Sequence, residues 1–193
     1  MTDKYYKEEA DKYIKDTADL DMSALHEKFR AHLPDDGSVL DAGCGSGRDS
    51  LAFKKLGYDV YAFDVSEAMV EATKKLAGVN VDKMSFQDMK YDRKFDGIWA
   101  CASLLHVPRK ELSSVFNTLS DCLEDGGVIY ASFKYGDSER TKDGRYFNDL
   151  NEELLEKFVA HASHLEVIDT YVTGDIRPGR ENEKWLNALI IKK

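Results

Sequence analysis

Three glycines stand within five residues, Gly43-Cys44-Gly45-Ser46-Gly47, with Asp41 just before them and Asp64 further on. Glycines let the backbone come close enough to a ligand to offer it amides and carbonyls. A carboxylate about 20 residues later can hold the two hydroxyls of a ribose. A glycine run by itself is only a tight turn; position decides whether it is more. His106 could act as a general base or donate a hydrogen bond to a substrate, or it could simply cap the helix that begins at Pro108. Lys134, Tyr135, Arg140, Lys142, Arg145 and Tyr146 offer cations and aromatic walls for a lid. The other reading is a solvated loop, because Asp137, Glu139 and Asp143 alternate with those bases. Arg177 and Arg180 could grip an anion through their guanidiniums or be neutralised by Glu181 and Glu183. Joined by Arg145, they would form an arginine cluster suited to a small anionic molecule.

The elements that must position these residues follow from hydrophobic period and turn chemistry. Two amphipathic helices are predicted first, over residues 4–15 and 22–33, the second capped by Asp21. After the turn Pro34-Asp35-Asp36-Gly37, the apolar run Ser38–Ala42 reads as a buried parallel strand leading straight into the glycines. A helix over 48–56 ends at Gly57, and a second strand over 58–63 closes on Asp64, which is where a ribose-binding acid belongs. Ser66 caps a helix to Ala77. Residues 79–86 form a weaker third strand and 95–101 a fourth, running into Ser103-Leu104-Leu105-His106. Pro108 starts a helix to Leu123, and 128–133 is a strongly apolar fifth strand. A long polar stretch reaches Asp149, followed by a helix over 152–162 and two closing strands, 165–172 and 185–191. Strands alternating with helices give an α/β, doubly wound, Rossmann-like architecture. Its ligands gather at the carboxyl ends of the strands, which places His106 near the substrate. Trp99 and Phe95 belong to a central strand and read as core. Tyr6 and Tyr13 share one helical face, read first as packing.

Asp41-Ala42-Gly43-Cys44-Gly45-Ser46-Gly47 resembles the first motif of the class I S-adenosylmethionine-dependent methyltransferases, an acid two residues before Gly-x-Gly-x-Gly. The likeness covers nearly the whole chain. Gly-Cys-Gly-Ser-Gly-Arg-Asp-Ser and Leu104-Leu105-His106-Val107-Pro108-Arg109 are similar in particular to small bacterial methyltransferases of the tellurite-resistance type. The resemblance implies a seven-stranded, mostly parallel sheet of order 3-2-1-4-5-7-6 with the last strand antiparallel. It implies a single domain over 1–193, with residues 1–34 as a helical lid on an α/β core of 38–193. It also implies S-adenosylmethionine as cofactor, leaving as S-adenosylhomocysteine. The cofactor would be held by Asp41, Ala42, Gly43, Cys44, Gly45 and Arg48, with Asp64, Val65, Ser66 and Met69 at ribose and adenine. Gln87, Asp88 and Met89 would form the acidic adenine loop, and Cys101 would lie beside the cofactor. The N-terminal helix would close over the pocket, bringing Tyr13 and Thr17 toward the methyl group; Tyr13, His106 and Arg145 are the catalytic candidates, and Lys134, Tyr135, Tyr146, Arg177 and Arg180 the substrate contacts. A dinucleotide protein favours Gly-x-Gly-x-x-Gly, and here Arg48 replaces the third glycine. S-adenosylmethionine carries an ammonium and a sulfonium rather than a phosphate, and an acid at the loop entrance suits both.

The remaining properties narrow the function class. At 193 residues the chain suits one domain, and no stretch approaches the roughly 20 apolar residues of a membrane span. No secretory signal is read at the N-terminus, and the odd, scattered cysteines Cys44, Cys101 and Cys122 suit a reducing compartment, so a cytoplasmic protein without a bound metal is expected. A net charge of −9 repels nucleic-acid backbones. No Asn/Asp-Pro-Pro-Tyr motif of DNA amino-methylation follows the fourth strand. A small-molecule methyltransferase, monomeric or weakly dimeric, is therefore favoured over one acting on RNA or protein, over a non-catalytic cofactor-binding regulator, and over NAD-dependent redox chemistry.

Overall fold

The computed structural model describes residues 10–162 and 164–193. Its centre is a seven-stranded sheet, β1 Ser38–Ala42, β2 Asp59–Asp64, β3 Asn80–Lys83, β4 Phe95–Ala100, β5 Leu123–Lys134, β8 Leu165–Gly174 and β9 Lys184–Lys192. Two further strands, β6 Glu139–Lys142 and β7 Arg145–Asn148, form a separate hairpin. The sheet order is β3-β2-β1-β4-β5-β9-β8, with β9 antiparallel to both neighbours. With the hairpin set aside, this is the order the motif resemblance implies. Every residue of β1 is buried, as a central strand covered on both faces requires, and its two polar residues are hydrogen-bonded, Ser38 to Asp96 and Asp41 to Ser50.

The helices are α1 Ala10–Thr17, α2 Ser23–Arg30, α3 Arg48–Lys55, α4 Glu67–Ala77, α5 Leu112–Asp121 and α6 Glu152–Val159. On one face of the sheet Leu112, Val115, Phe116 and Leu119 of α5 join Leu155 and Val159 of α6 over β4 and β5. On the other, Phe29 of α2 and Phe53 of α3 close on Trp99, which is fully buried and stacked on Tyr130 at 3.9 Å between ring centroids. Trp99 and Phe95 are core, as their strand position predicts.

Several boundaries differ from expectation for identifiable reasons. Asp21 does bind a helix-start amide, that of Ser23 at 2.9 Å, but from one residue before Met22, which holds the cap position. Ser66 sits at the cap of α4 without making the bond; its backbone amide goes to Asp64 Oδ1 at 2.9 Å, and its buried hydroxyl has no partner among the described residues. Residues 84–86 leave β3. Pro108 is followed by a single tight turn, Arg109–Glu111, before α5 begins. The polar stretch before Asp149 is ordered as the β6–β7 hairpin. Its corner is Asp143 and Gly144, both at positive φ (50° and 73°), the primed turn that matches strand twist.

Candidate functional site

The glycine turn is built to be bare. Gly43, Gly45 and Gly47 all have positive φ (79°, 53° and 81°), where side chains are disfavoured. A Cβ on Gly43 would meet the Cβ of Ser103 at 2.5 Å. Ser103 is there for a reason: its hydroxyl donates to the Ala42 carbonyl at 2.6 Å, tying the end of β1 to the chain after β4. Asp64 fixes the turn from β2, with Oδ2 accepting the Gly45 amide at 3.0 Å and Oδ1 the Ser66 amide. A carboxylate that ends β2 beside the turn is of the type that can accept from the two hydroxyls of a ribose. Beside it Val65 is left 38% exposed, an apolar surface next to the acid. Met69 and Met89 are buried, Asp88 is exposed and accepts from the Ser85 hydroxyl at 2.7 Å, and Gln87 reaches Glu111 at 3.0 Å.

Beneath the turn lie two buried acids in opposite states. Asp41 accepts from the Ser50 hydroxyl at 2.5 Å; burial, with the nearby Asp49 charge adding to it, pushes its carboxyl up to about 7. Burial would also raise Asp49, but the Arg48 charge and hydrogen bonds from His26 and Arg48 outweigh it and hold the carboxyl far below the usual range. Asp49 is a hub, accepting from His26 Nε2 at 3.0 Å, Trp99 Nε1 at 2.9 Å, and Arg48 at 2.9 and 2.7 Å. Arg48 also donates to the Thr17 carbonyl at the end of α1, 3.3 Å away. The single cation of the turn is thus engaged by an acid and a carbonyl. What remains at the turn is carboxylate and carbonyl oxygen, a donor set for a positively charged ligand rather than a pyrophosphate.

Next to the turn, past the carboxyl ends of β4 and β5, is a cavity of about 280 Å³. Thr17, Leu20, Met22 and Leu25 close it from the α1–α2 side, and Cys101, His106, Tyr130 and Ser132 form its floor. Arg48, Arg145 and Arg177 border it together with Asp21 and Asp175. Ala102, at its edge, has a positive φ of 52°, and its amide is held by the Ser132 hydroxyl at 2.8 Å. Strain of this kind in a non-glycine residue concentrates at functional sites. Burial drives the Cys101 thiol up to about 12, so it is an apolar wall and not a nucleophile.

His106 does not cap a helix. Its Nδ1 lies 2.6 Å from the Tyr146 carbonyl, which can only accept, so Nδ1 carries the proton and Nε2 the lone pair. Burial lowers its pKa to about 4 against the opposing effect of that bond, and the Arg145 charge lowers it further. Arg145 lines the cavity with its guanidinium 5.2 Å from the Phe147 ring centre. Tyr13 lies on α1, but its side chain, like Tyr5 and Tyr6, is outside the described residues.

The substrate candidates are divided between places. Arg177 borders the cavity while gripping Asp175, at 2.8 Å through Nε. Lys134 is buried between Asp175 (2.9 Å) and Glu183, with its ammonium 3.9 Å from the Trp185 ring centre. Burial would raise Asp175, but hydrogen bonds from Arg177 and Lys134 hold it far below the usual carboxylate range. Lys134, Tyr135 and Arg180 line a second cavity, and Tyr146 turns its hydroxyl onto Glu139 and the Arg109 amide. The residues missed by sequence reasoning are Asp49, Ser132, Asp175 and Asn187. Asp49 shares a helical face with Phe53, the i, i+4 signal of burial, while Ser132 and Asn187 are polar residues inside apolar strands.

A family model described as a methyltransferase domain matches residues 39–127, from β1 into β5. A Staphylococcus carnosus protein named an uncharacterized methyltransferase is 28% identical over 140 residues, 69% of this chain and 68% of that protein. A probable S-adenosyl-L-methionine-dependent methyltransferase, TehB, of Haemophilus influenzae is 27% identical over 113 residues, 55% of this chain. The chain spans only 40% of that relative's length. In fold, the chain is similar to Burkholderia thailandensis 1,6-didemethyltoxoflavin-N1-methyltransferase, solved with 1,6-didemethyltoxoflavin and S-adenosylhomocysteine bound. The TM-score is 0.79 and the identity 21%, over 98% of this chain and 84% of that one. Joined to the strand order, the bare glycine turn and the acid ending β2, these matches support a class I S-adenosylmethionine-dependent methyltransferase.

Proposed function

We propose that the chain transfers the methyl group of S-adenosylmethionine directly to a nucleophilic atom of a small anionic molecule held in the cavity beyond β4 and β5. The observation that carries this reading is the lining of that cavity, which joins Arg48 of the glycine-turn helix to His106, whose Nδ1 carries the proton and whose Nε2 carries the lone pair. The cofactor supplies a methyl carbon already activated by its sulfonium, which leaves alignment, exclusion of water and proton removal to the protein. Asp64 would hold the ribose and the 43–47 turn the amino-acid end, with Val65, Met69 and the 87–89 segment toward adenine. His106 would take the proton from the acceptor, and Arg145 and Arg177 would set its charge preference. The lid expected over residues 1–34, of which 1–9 lie outside the described residues, acts in this reading on a single 38–193 core, supported by the cavity contacts of Thr17, Leu20, Met22 and Leu25. A small acceptor is also what the similar Burkholderia enzyme was crystallised with. The three unbridged thiols suit the cytoplasm, and sedimentation would separate a monomer from a weak dimer. Among the described residues no helix is long and apolar enough to cross a membrane.

Calorimetry with S-adenosylmethionine, S-adenosylhomocysteine and NAD tests the cofactor, and transfer of a labelled methyl group to a panel of small anionic and neutral acceptors tests the reaction. Binding of the first two ligands and labelling of an anionic acceptor are expected. Tight NAD binding with no response to the others would overturn the reading.

A further inference from the structure

Behind the acceptor cavity lies the second one, about 320 Å³, between the β6–β7 hairpin and the 175–184 segment. Six cations line it, Lys134, Arg140, Lys142, Arg145, Arg180 and Lys184, against three acids, Asp143, Asp149 and Glu183. In a chain of net charge −9, a concave site with this excess of positive charge is a departure from the molecular average. Internal pairing does not cancel it. Lys134 is held by Asp175 and Glu183, Arg140 by Asp149, and Arg180 stands 3.8 Å from the same Glu183. Lys142 and Lys184 are exposed and have no ion pair among the described residues. Even when Asp175 is counted against Lys134, cations outnumber acids.

The two cavities share a wall. Arg145 lines both. Lys134 in the second rests its ammonium on the ring of Trp185 in the first, and Asp175 of the first is its ion-pair partner. A ligand lying across Arg145 would put an apolar or ring portion against Leu25, Leu105 and Trp185 and its charge among the cations. Several cations around one concavity suit a group with more than one negative charge, and arginine forks match phosphate oxygens.

We infer that the second cavity receives a phosphate-type dianion carried by the methyl acceptor itself, so that the acceptor is bipartite: a reacting, largely apolar part beside His106 and a dianionic tail beyond Arg145. This rests on the methyltransferase reading for the first cavity. The test is calorimetric titration of the full chain with phenyl phosphate, inorganic phosphate and phenol at constant ionic strength, with Trp185 emission as a second readout. Phenyl phosphate is expected to bind saturably and about 10-fold more tightly than inorganic phosphate, because it engages both cavities. Lys142→Ala combined with Lys184→Ala, two exposed positions whose replacement spares the fold, should weaken both phosphates about 10-fold. S-adenosylhomocysteine affinity and the melting temperature should not move. Absence of any saturable phosphate response, or a response indifferent to the two lysines, would overturn the inference while bound S-adenosylhomocysteine left the methyltransferase reading intact. Inorganic phosphate binding as tightly as phenyl phosphate would make the site a separate anion site and overturn its assignment to the acceptor. Lysine-dependent phosphate binding in a protein that ignores S-adenosylhomocysteine would instead sink the methyltransferase reading, and with it that assignment.

Discussion

His106 is kept neutral by its surroundings: the Tyr146 carbonyl fixes the proton on Nδ1, and burial resists a second one. A histidine whose folded pKa is lowered contributes stability that is complete above its ordinary value near 6.5 and is lost as pH falls toward about 4. The acid limb of turnover should accordingly lie near pH 4, where an unperturbed histidine base would put it above 6; a limb near 6.5 would remove His106 from that role. His106→Gln should reduce turnover roughly 10²- to 10⁴-fold while leaving S-adenosylhomocysteine affinity nearly unchanged. Loss of the fold in place of that split would mark a structural histidine. Asp64→Ala should weaken S-adenosylhomocysteine binding by about 1–3 kcal/mol, through lost hydrogen bonds to a charged group. An unaltered dissociation constant would discard the ribose contact.

At the scale of elements, the buried strands and the glycine turn were legible because their residues obey local rules: a short, largely apolar Ser38–Ala42 between turn residues, glycines where φ is positive, an acid where β2 ends. What escaped depends on partners distant in sequence or on a turn signal easily overlooked. The β6–β7 hairpin announces itself only through Asp143-Gly144, hidden by the mixed charges around it. Asp49 reads as an ordinary acid in a helix's first turn, and only Trp99, fifty positions on, and His26 make it the buried hub it is. Lys134 and Arg177 were legible as cations, but not the Asp175 that draws both to one point, since β8 and β9 must pair before these groups meet. The turn itself gives an element-scale prediction. Gly43→Ala, forced to positive φ against Ser103, should cost about 1–3 kcal/mol in thermal unfolding and abolish cofactor binding. Normal binding in that variant would contradict the close approach of the turn to its ligand.

Across the whole molecule, Asp41 joins protonation to folding and, if the turn holds the cofactor as proposed, to cofactor binding. Its raised pKa means that folding stability falls as pH rises from about 4 toward 7 and then levels off, because only the folded state retains the proton over that interval. A cationic ligand at the turn favours the ionised acid, so binding near pH 6.5 should release up to one proton, and almost none at about pH 9. Calorimetry in buffers of different ionisation enthalpy measures this, and Asp41→Asn should erase it; buffer-independent heats would refute the link. Arg48 adds a connection of another kind. One guanidinium belongs to the helix that starts at the glycine turn, to the rim of the acceptor cavity and, through Thr17, to the segment that closes that cavity. In the proposed reading, donor and acceptor would therefore bind to two faces of one mechanical unit. Whatever factor an occupied donor site imposes on acceptor affinity, the acceptor returns in full to the donor.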